Sequence, residues 1–167
     1  MTRDKRLPFA QWADIHRTDR FISIEPLSGY NMVQREDEGC VFYLLPDASD
    51  DALGRALLGA LDKSRFIWPP DEAVEFFKEE RYLECDRNWH KEIMRRYGYE
   101  TKQELYKNMN WCRAERSEGT ISIQSHKCDD KPEHGKWVPP DKTVIVPVTT
   151  NFAAAGAALR LALDRGE

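Results

Sequence analysis

Three side chains in one short segment are the clearest candidates for metal chemistry in this sequence. His126, Cys128 and His134 carry two imidazoles and a thiol, which are groups that bind zinc. Their spacing matches none of the usual zinc motifs. A small metal-dependent enzyme that uses this loop is therefore one interpretation. The favoured interpretation is that these side chains make ordinary hydrogen bonds and that the chain has no catalytic residue, metal or cofactor.

Carboxylates are the second group with spacing that suggests a function. Residues 71–87 include seven acidic and three basic side chains, a local balance of −4. No lysine follows Asp71, Glu75 or Glu79 at the fourth position, where it would neutralise them on a helix. A solvated helix surface is the usual outcome for such a run. The alternative that we favour is contact with a basic partner, through Asp71, Glu72, Glu75, Glu79 and Glu80, with a second set at Asp129, Asp130 and Glu133.

Length and charge restrict the function classes. A chain of 167 residues can bury one well-formed core, and its 41% hydrophobic and 32% charged residues are typical of a globular protein. The net charge of −4 argues against direct nucleic-acid binding, which requires a basic surface. The N-terminal segment has no signal-like apolar run, and no segment is apolar enough for a membrane span. We therefore expect a cytoplasmic protein without membrane contact.

An internal repeat organises the chain. Residues 49–62 and 151–164 are identical at seven of fourteen aligned positions. Both copies have apolar residues at the spacing of one helix face, and Ser49 and Asn151 stand where an N-cap is expected. Gly54 and Gly156 are also equivalent. Because glycine costs about 1 kcal/mol in a helix interior, the pair predicts close approach to a sheet or to another helix.

The segments that precede each helix copy are rich in β-forming residues. VFYLL at 41–45 and TVIVPV at 143–148 come directly before the copies, and Ile-Ser-Ile occurs at 22–24 and at 121–123. These patterns predict a mixed α/β single domain with a mixed sheet, built from two strand-loop-strand-helix modules at about 20–65 and 119–166. A helical insert at about 66–118 separates the modules. It is expected to hold a helix at 71–84 with Val74, Phe76, Phe77 and Leu83 pointing inward, and a helix at 88–97 that ends at Gly98. A third helix, capped by Thr101, is expected to follow.

The insert and the second module contain three stretches that resemble one protein family. They are RRYGYETKQELYKNMNWCRAE at 95–115, ISIQSHKCDDKPEHGKW at 121–137 and DKTVIVPVTTNFAAAGAALRLAL at 141–163. In this order they are similar to the immunity proteins of contact-dependent growth inhibition, the CdiI family. The resemblance extends over roughly residues 20–165, with a looser match in the first module.

The resemblance implies a binding protein, not an enzyme. A CdiI-like chain is expected to remain in the cytoplasm and to neutralise the C-terminal domain of a cognate toxin, in a one-to-one complex. Such toxins are frequently nucleases, often acting on transfer RNA, and are blocked at the active site or the substrate groove. A basic nuclease would complement the acidic segment 71–87. A regulatory homodimer that uses the duplicated helices remains the alternative, beside the metal-dependent enzyme.

Overall fold

The computed structural model describes residues 8–37, 39–68, 70–127 and 136–166, except for the side chains of residues 70–72, 127 and 136. The β-strands are β1 (Ala10–Arg17), β2 (Ile22–Gly29), β3 (Val33–Arg35), β4 (Phe42–Leu44), β5 (Asn110–Ser117), β6 (Thr120–Lys127), β7 (Lys136–Trp137) and β8 (Val144–Pro147). The helices are α1 (Asp50–Lys63), α2 (Pro70–Phe76), α3 (Glu79–Tyr97), α4 (Lys102–Tyr106) and α5 (Phe152–Arg165). This arrangement confirms the α/β single-domain class.

The strands form one sheet with the order β3-β2-β1-β5-β6-β7. β4 pairs with the same strand as β3, and β8 pairs with the same strand as β7. The expected mixed sheet is antiparallel at each pair of named strands in the described chain. The reason is that β1–β2 and β5–β6 are hairpins, whose strands run antiparallel. Strands β3 and β4 then pair with β2, and β7 and β8 pair with β6.

The two modules repeat each other in strand register as well as in sequence. Ile22 pairs with Leu44, and the equivalent Ile121 pairs with Val146. Ile24 pairs with Phe42, and Ile123 pairs with Val144. β1 and β5 join the two hairpins at the centre of the sheet. The duplication predicted from the helices therefore extends to the strands.

Helices α1 and α5 pack side by side on one face of this sheet. Their apolar stripes and the inward residues of the strands form the main core, which includes Ile15, Ile22, Ile24, Leu53, Leu57, Leu61, Ile121, Ile123, Leu159 and Leu163. The predicted N-caps are present: Ser49 Oγ accepts from the Ala52 N–H at 3.1 Å, and Asn151 Oδ1 accepts from the Ala154 N–H at 2.8 Å. The repeated sequence thus specifies both the start and the buried face of each helix.

The insert differs from its prediction in three places. The helix expected at 88–97 begins at Glu79, so α3 is continuous through residues 85–87, which were predicted to separate two helices. The single helix expected at 71–84 is broken after Phe76, so Asp71 and Glu75 belong to α2 whereas Glu79 belongs to α3. Lys78 has extended backbone angles and precedes α3 without a side-chain cap. The insert also ends early, because residues 110–117 form the central strand β5.

Two smaller predictions about the insert had different outcomes. Val74 and Leu83 were expected to point inward, but they are 63% and 48% exposed, because the break in the helix changes which faces are buried. The end of α3 is confirmed: Gly98 adopts a left-handed conformation with φ of 72°. None of the helices in the described ranges is both long and apolar enough to cross a membrane.

Candidate functional site

The face of the sheet opposite α1 and α5 is polar, although much of it is buried. Side chains alternate along a strand, so Ala13 and Ile15 enter the main core while Asp14 and His16 lie on the other face. The strand register places Asp14 between Glu25 on β2 and Arg113 on β5. Asp14, His16 and Glu25 are 5%, 6% and 2% exposed. Two buried carboxylates therefore lie on adjacent strands, a position that requires compensating charge.

Two arginines supply that charge. Arg113 Nε and Nη2 donate to the two Asp14 carboxylate oxygens at 2.8 and 3.1 Å. Arg35 Nε donates to Glu25 Oε1 at 2.9 Å, and its Nη1 donates to Asp86 Oδ1 on α3 at 3.2 Å. Burial raises the pKa of Glu25 to about 7, while Arg35 opposes the shift. The ion pairs therefore balance the buried charges and also attach α3 to the sheet.

Aromatic side chains complete the attachment of α3. The Arg35 guanidinium lies 4.5 Å from the ring centre of Trp89. Trp89, Ile93, Leu105, Met109 and Phe21 form a second core between the helices and the sheet. His90 joins α3 to α4: its Nε2 is 2.6 Å from the Tyr106 hydroxyl, and its Nδ1 is 2.7 Å from the Asp86 carbonyl oxygen. Burial lowers the pKa of His90, which favours the neutral ring.

A cleft of about 700 Å³ opens between α3 and the edge of the sheet. We call it the α3 cleft; its lining includes Glu25, Arg35, Glu36, Asp37, Tyr43, Arg81, Glu84, Trp89, Glu92 and Arg96. The lining has five carboxylates and three guanidinium groups, so its charge balance is −2. The cleft is large enough for side chains or a short segment of another molecule.

Most of these charges are already paired. Arg81 Nη2 donates to Asp37 Oδ1 at 3.0 Å, Arg65 pairs with Glu36 at 2.6 Å, and Arg96 pairs with Glu92 at 2.9 Å. Among the described residues, Glu84 is the carboxylate of the lining without an ion pair. It stands one turn after Glu80, which is also exposed and unpaired in the described structure. The unneutralised acidic charge of the cleft is therefore located on this face of α3.

The structure places the predicted contact residues in different surroundings. Glu75, Glu79 and Glu80 are exposed on α2 and at the start of α3. Glu75 is neutralised by Lys78 at 2.8 Å, three residues later, so the expectation of an uncompensated charge was wrong there. The side chains of Asp71 and Glu72 lie outside the described structure, and so do residues Asp129, Asp130 and Glu133. The acidic surface that can be described is therefore Glu79, Glu80 and Glu84.

The candidate metal loop can be described only at its first residue. The His126 ring lies 4.4 Å from the Trp111 ring and 4.8 Å from the Trp137 ring, so it is part of an aromatic cluster. Cys128 and His134 lie outside the described residues. Within the described ranges, no group of three or more His, Cys, Asp or Glu side chains is arranged to hold a metal ion.

Sequence reasoning missed Glu25, Arg35, Asp86 and Trp89, which attach α3 and shape the cleft. They come from three separate elements, so no spacing along the chain connects them. One signal was present: Asp14, His16, Ser23 and Glu25 alternate with apolar residues on two segments. That alternation predicts strands with one polar face.

Comparison with known proteins matches this architecture to a family. The family model described as CDI immunity protein, CdiI, matches residues 11–166, which is most of the chain. The chain belongs to the CdiI family. It is 30% identical to the immunity protein CdiI-YPIII of Yersinia pseudotuberculosis serotype O:3 (strain YPIII), over 92% of this chain and 94% of that protein. The resemblance seen in the sequence is thereby confirmed.

Two solved structures share the CdiI fold of this chain. One is the CdiA-CT/CdiI toxin and immunity complex from Yersinia pseudotuberculosis, with a TM-score of 0.87 and 30% identity over 96% of this chain and 99% of the matched chain. The other is protein NMB0488 of unknown function from Neisseria meningitidis, with a TM-score of 0.86 and 25% identity over the full length of both chains. The fold is therefore shared with these two chains over nearly its whole length.

Proposed function

We propose that this protein binds and neutralises the C-terminal toxin domain of its own contact-dependent growth inhibition system. The observation that carries the proposal is the similarity, over nearly the whole chain, to a structure of a toxin and immunity complex. Neutralisation is a binding event: this chain covers the toxin's active site or substrate groove in a one-to-one complex in the cytoplasm of the producing cell.

The toxin surface that binds this protein is basic, as the groove of a nuclease would be. Glu79, Glu80 and Glu84 are acidic, and Glu80 and Glu84 lie one turn apart on the α3 face that borders the cleft. Complementary charge increases the rate of association and disfavours wrong partners. A nuclease that acts on transfer RNA fits this surface, because it must present a basic groove to its substrate.

Helix α3 also offers exposed apolar side chains for affinity. Tyr82 and Leu83 on α3 are 49% and 48% exposed, beside the acidic residues. Tyrosine is a frequent anchor residue in protein interfaces, whereas leucine is a less frequent one. We therefore place the centre of the interface on α3 and the cleft, with Asp71, Glu72 and Glu75 of α2 at one side. Asp129, Asp130 and Glu133 form a second proposed contact set.

Co-expression tests the proposal directly. The chain carries the only tag and is produced together with the C-terminal domain of the large protein encoded next to it. We expect stoichiometric co-purification, and survival of cells that the toxin domain alone would kill. The purified domain should degrade RNA, with transfer RNA as the first substrate to examine, and this chain should inhibit the degradation. Absence of both a complex and protection would contradict the immunity function.

A charge-reversal variant tests the location of the interface. Glu75→Lys, Glu79→Lys and Glu80→Lys together should weaken toxin binding by orders of magnitude and leave the fold intact, because these side chains are exposed. A small decrease in melting temperature is expected, since Glu79 and Glu80 stand in the first turn of α3, where acidic side chains stabilise a helix. The control is Asp47→Lys with Glu118→Lys, which reverses two exposed acids outside α2, α3 and the cleft. Equal affinity of the triple variant and the wild type would exclude this surface, while leaving the immunity function itself intact.

A further inference from the structure

A second, smaller cavity lies on the polar face of the sheet. We call it the Trp111 cavity; its volume is about 280 Å³, and it is bordered by β1, β3 and β5 and by helices α3 and α4. Arg35 lines both this cavity and the α3 cleft, but the other lining residues differ. The volume is close to the lower end of the range of about 300–1,000 Å³ that is usual for small-molecule sites.

Three buried polar atoms around this cavity have no hydrogen-bond partner among the described residues. They are His16 Nδ1, Gln34 Oε1 and Trp111 Nε1. The His16 side chain is 8% exposed, and the nearest carboxylate oxygen, Glu25 Oε1, is 3.9 Å from its Nδ1. A buried polar group without a partner costs about 1–3 kcal/mol. The three atoms have almost no accessible surface in this structure, so a polar occupant reaches them only when the side chains that cover them move.

Gln34 Oε1 can only accept, but the rest of the unused hydrogen-bonding capacity consists mainly of donors. The Trp111 indole N–H can only donate. Arg113 uses Nε and Nη2 on Asp14, and Arg35 uses Nε and Nη1 on Glu25 and Asp86, so that one terminal nitrogen of each arginine has no hydrogen bond within the described structure. The lining contains these two guanidinium groups and one carboxylate, Asp14, which already accepts both bonds from Arg113.

The remaining walls are apolar or aromatic. Leu27, Val33 and Met109 line the cavity, and the Trp111 ring is nearly parallel to the His16 ring at 6.0 Å between centres. Burial lowers the pKa of His16 to about 3, so this ring is neutral at physiological pH and adds no positive charge. A ligand that fits must therefore combine an anionic acceptor group with a flat or apolar body.

We propose that the Trp111 cavity binds a small carboxylate, held by the Trp111 indole N–H and the free guanidinium nitrogens of Arg35 and Arg113. Planar carboxylates match arginine because two oxygens can accept from one guanidinium. The carboxylate is either a free small molecule or an acidic side chain of the toxin. The second source depends on the proposed immunity function, whereas the first does not.

Titration with benzoate tests the site on the protein alone. The readout is the indole ¹H–¹⁵N signal of Trp111, identified as the signal that Trp111→Phe removes. We expect a saturable shift with benzoate and none with benzylammonium, which has a similar ring and the opposite charge. By calorimetry, Trp111→Phe should weaken benzoate binding roughly tenfold or more, because it removes a donor to a charged acceptor.

Two further variants keep the result interpretable. Trp68→Phe is the matched control, since Trp68 packs on Tyr30 at 5.1 Å and does not line the cavity, and it should bind benzoate as the wild type does. If Trp111→Phe does not fold, Val33→Phe narrows the cavity from the edge strand β3 and should also weaken binding. The proposal is overturned if no saturable shift occurs, if benzylammonium gives the same shift, or if the folded cavity variants bind benzoate normally.

Addition of the toxin domain distinguishes the two sources. Benzoate that remains bound in the complex excludes a toxin carboxylate as the occupant and leaves a free small molecule as the source, because the toxin leaves the cavity open. Benzoate that is displaced in proportion to the toxin identifies a toxin carboxylate as the occupant. Loss of toxin binding altogether would contradict the proposed function, but would leave the benzoate result on the isolated protein valid.

Discussion

Gly54 and Gly156 occupy equivalent positions on the two sides of the α1–α5 crossing. A Cβ atom on Gly54 would collide with the main chain of Phe152, and one on Gly156 would collide with the main chain of Asp50. Phe152 and Asp50 are the first residues of the opposite helices. The two helices therefore approach each other so closely that each requires a residue without a side chain at this point.

Gly54→Ala should destabilise the protein, although alanine is the better helix former. The propensity gain of about 1 kcal/mol is outweighed by displacement of a helix backbone, and we expect a net loss of at least about 2 kcal/mol in the free energy of unfolding in urea. Gly59→Ala is the control in the same helix, because its Cβ would meet only the movable Phe42 ring, at 3.1 Å. Equal stability of the two variants would contradict the close crossing.

Asp14→Asn should leave Arg113 as an uncompensated charge on the buried face of the sheet. Loss of one partner of a buried ion pair typically lowers the free energy of unfolding by about 3–5 kcal/mol. Because Arg113 is partly exposed, we expect a loss near the lower end of that range. Urea unfolding measures it. Asp51→Asn is the comparison, because the Asp51–Arg55 pair is exposed on both sides and should contribute less than about 1 kcal/mol.

His16 should make the protein less stable in acid. Burial lowers its pKa from 6.5 to about 3. Between these values the unfolded chain binds a proton that the folded chain does not, so the free energy of unfolding decreases as the pH falls below 6.5, by up to about 1.4 kcal/mol per pH unit. His16→Gln should remove this part of the slope. Parallel curves for variant and wild type in urea titrations would show that His16 does not titrate in this way.

Glu25 should have the opposite effect. Burial raises its pKa from 4.5 to about 7, so the folded chain binds the extra proton in that range. This contribution to stability is present below pH 4.5 and is lost as the pH rises through 7. Glu25→Gln should therefore make the stability curve less steep on the neutral side, measured by urea unfolding across this range. A steeper decrease of the free energy of unfolding with pH in the variant would mean that the Arg35 ion pair affects the pKa of Glu25 more than burial does.

The acidic face of α3 should control the rate of toxin binding. Glu80→Gln with Glu84→Gln removes two unpaired charges, so we expect a lower association rate constant and a weaker dependence on ionic strength. Stopped-flow mixing at several salt concentrations measures both. Asp47→Asn with Glu118→Gln removes the same charge elsewhere and should change the rate less. An effect confined to the dissociation rate would argue against electrostatic steering.

Several features were predictable because they depend on neighbouring residues. The repeat, the N-caps at Ser49 and Asn151 and the end of α3 at Gly98 follow from local backbone chemistry. The break between α2 and α3 was not predicted, because residues 71–84 have a continuous helical pattern of apolar side chains. In the folded chain, Phe76 is buried while Val74 and Leu83 are exposed. Packing against the rest of the protein therefore decides which of these side chains are buried, and the helical pattern does not.

The sequence by itself determined the family, the duplicated architecture and a close backbone approach at Gly54 and Gly156, since equal residues at equal offsets must serve equal positions in both modules. The structure decided that a helix, not the sheet, makes this approach. Only the tertiary structure decided which side chains share a site. Asp14 meets Arg113 across 99 residues, and Arg35 meets Asp86 across 51. The charges of such pairs carry no information about partners distant in sequence; strand register and the packing of α3 bring them together.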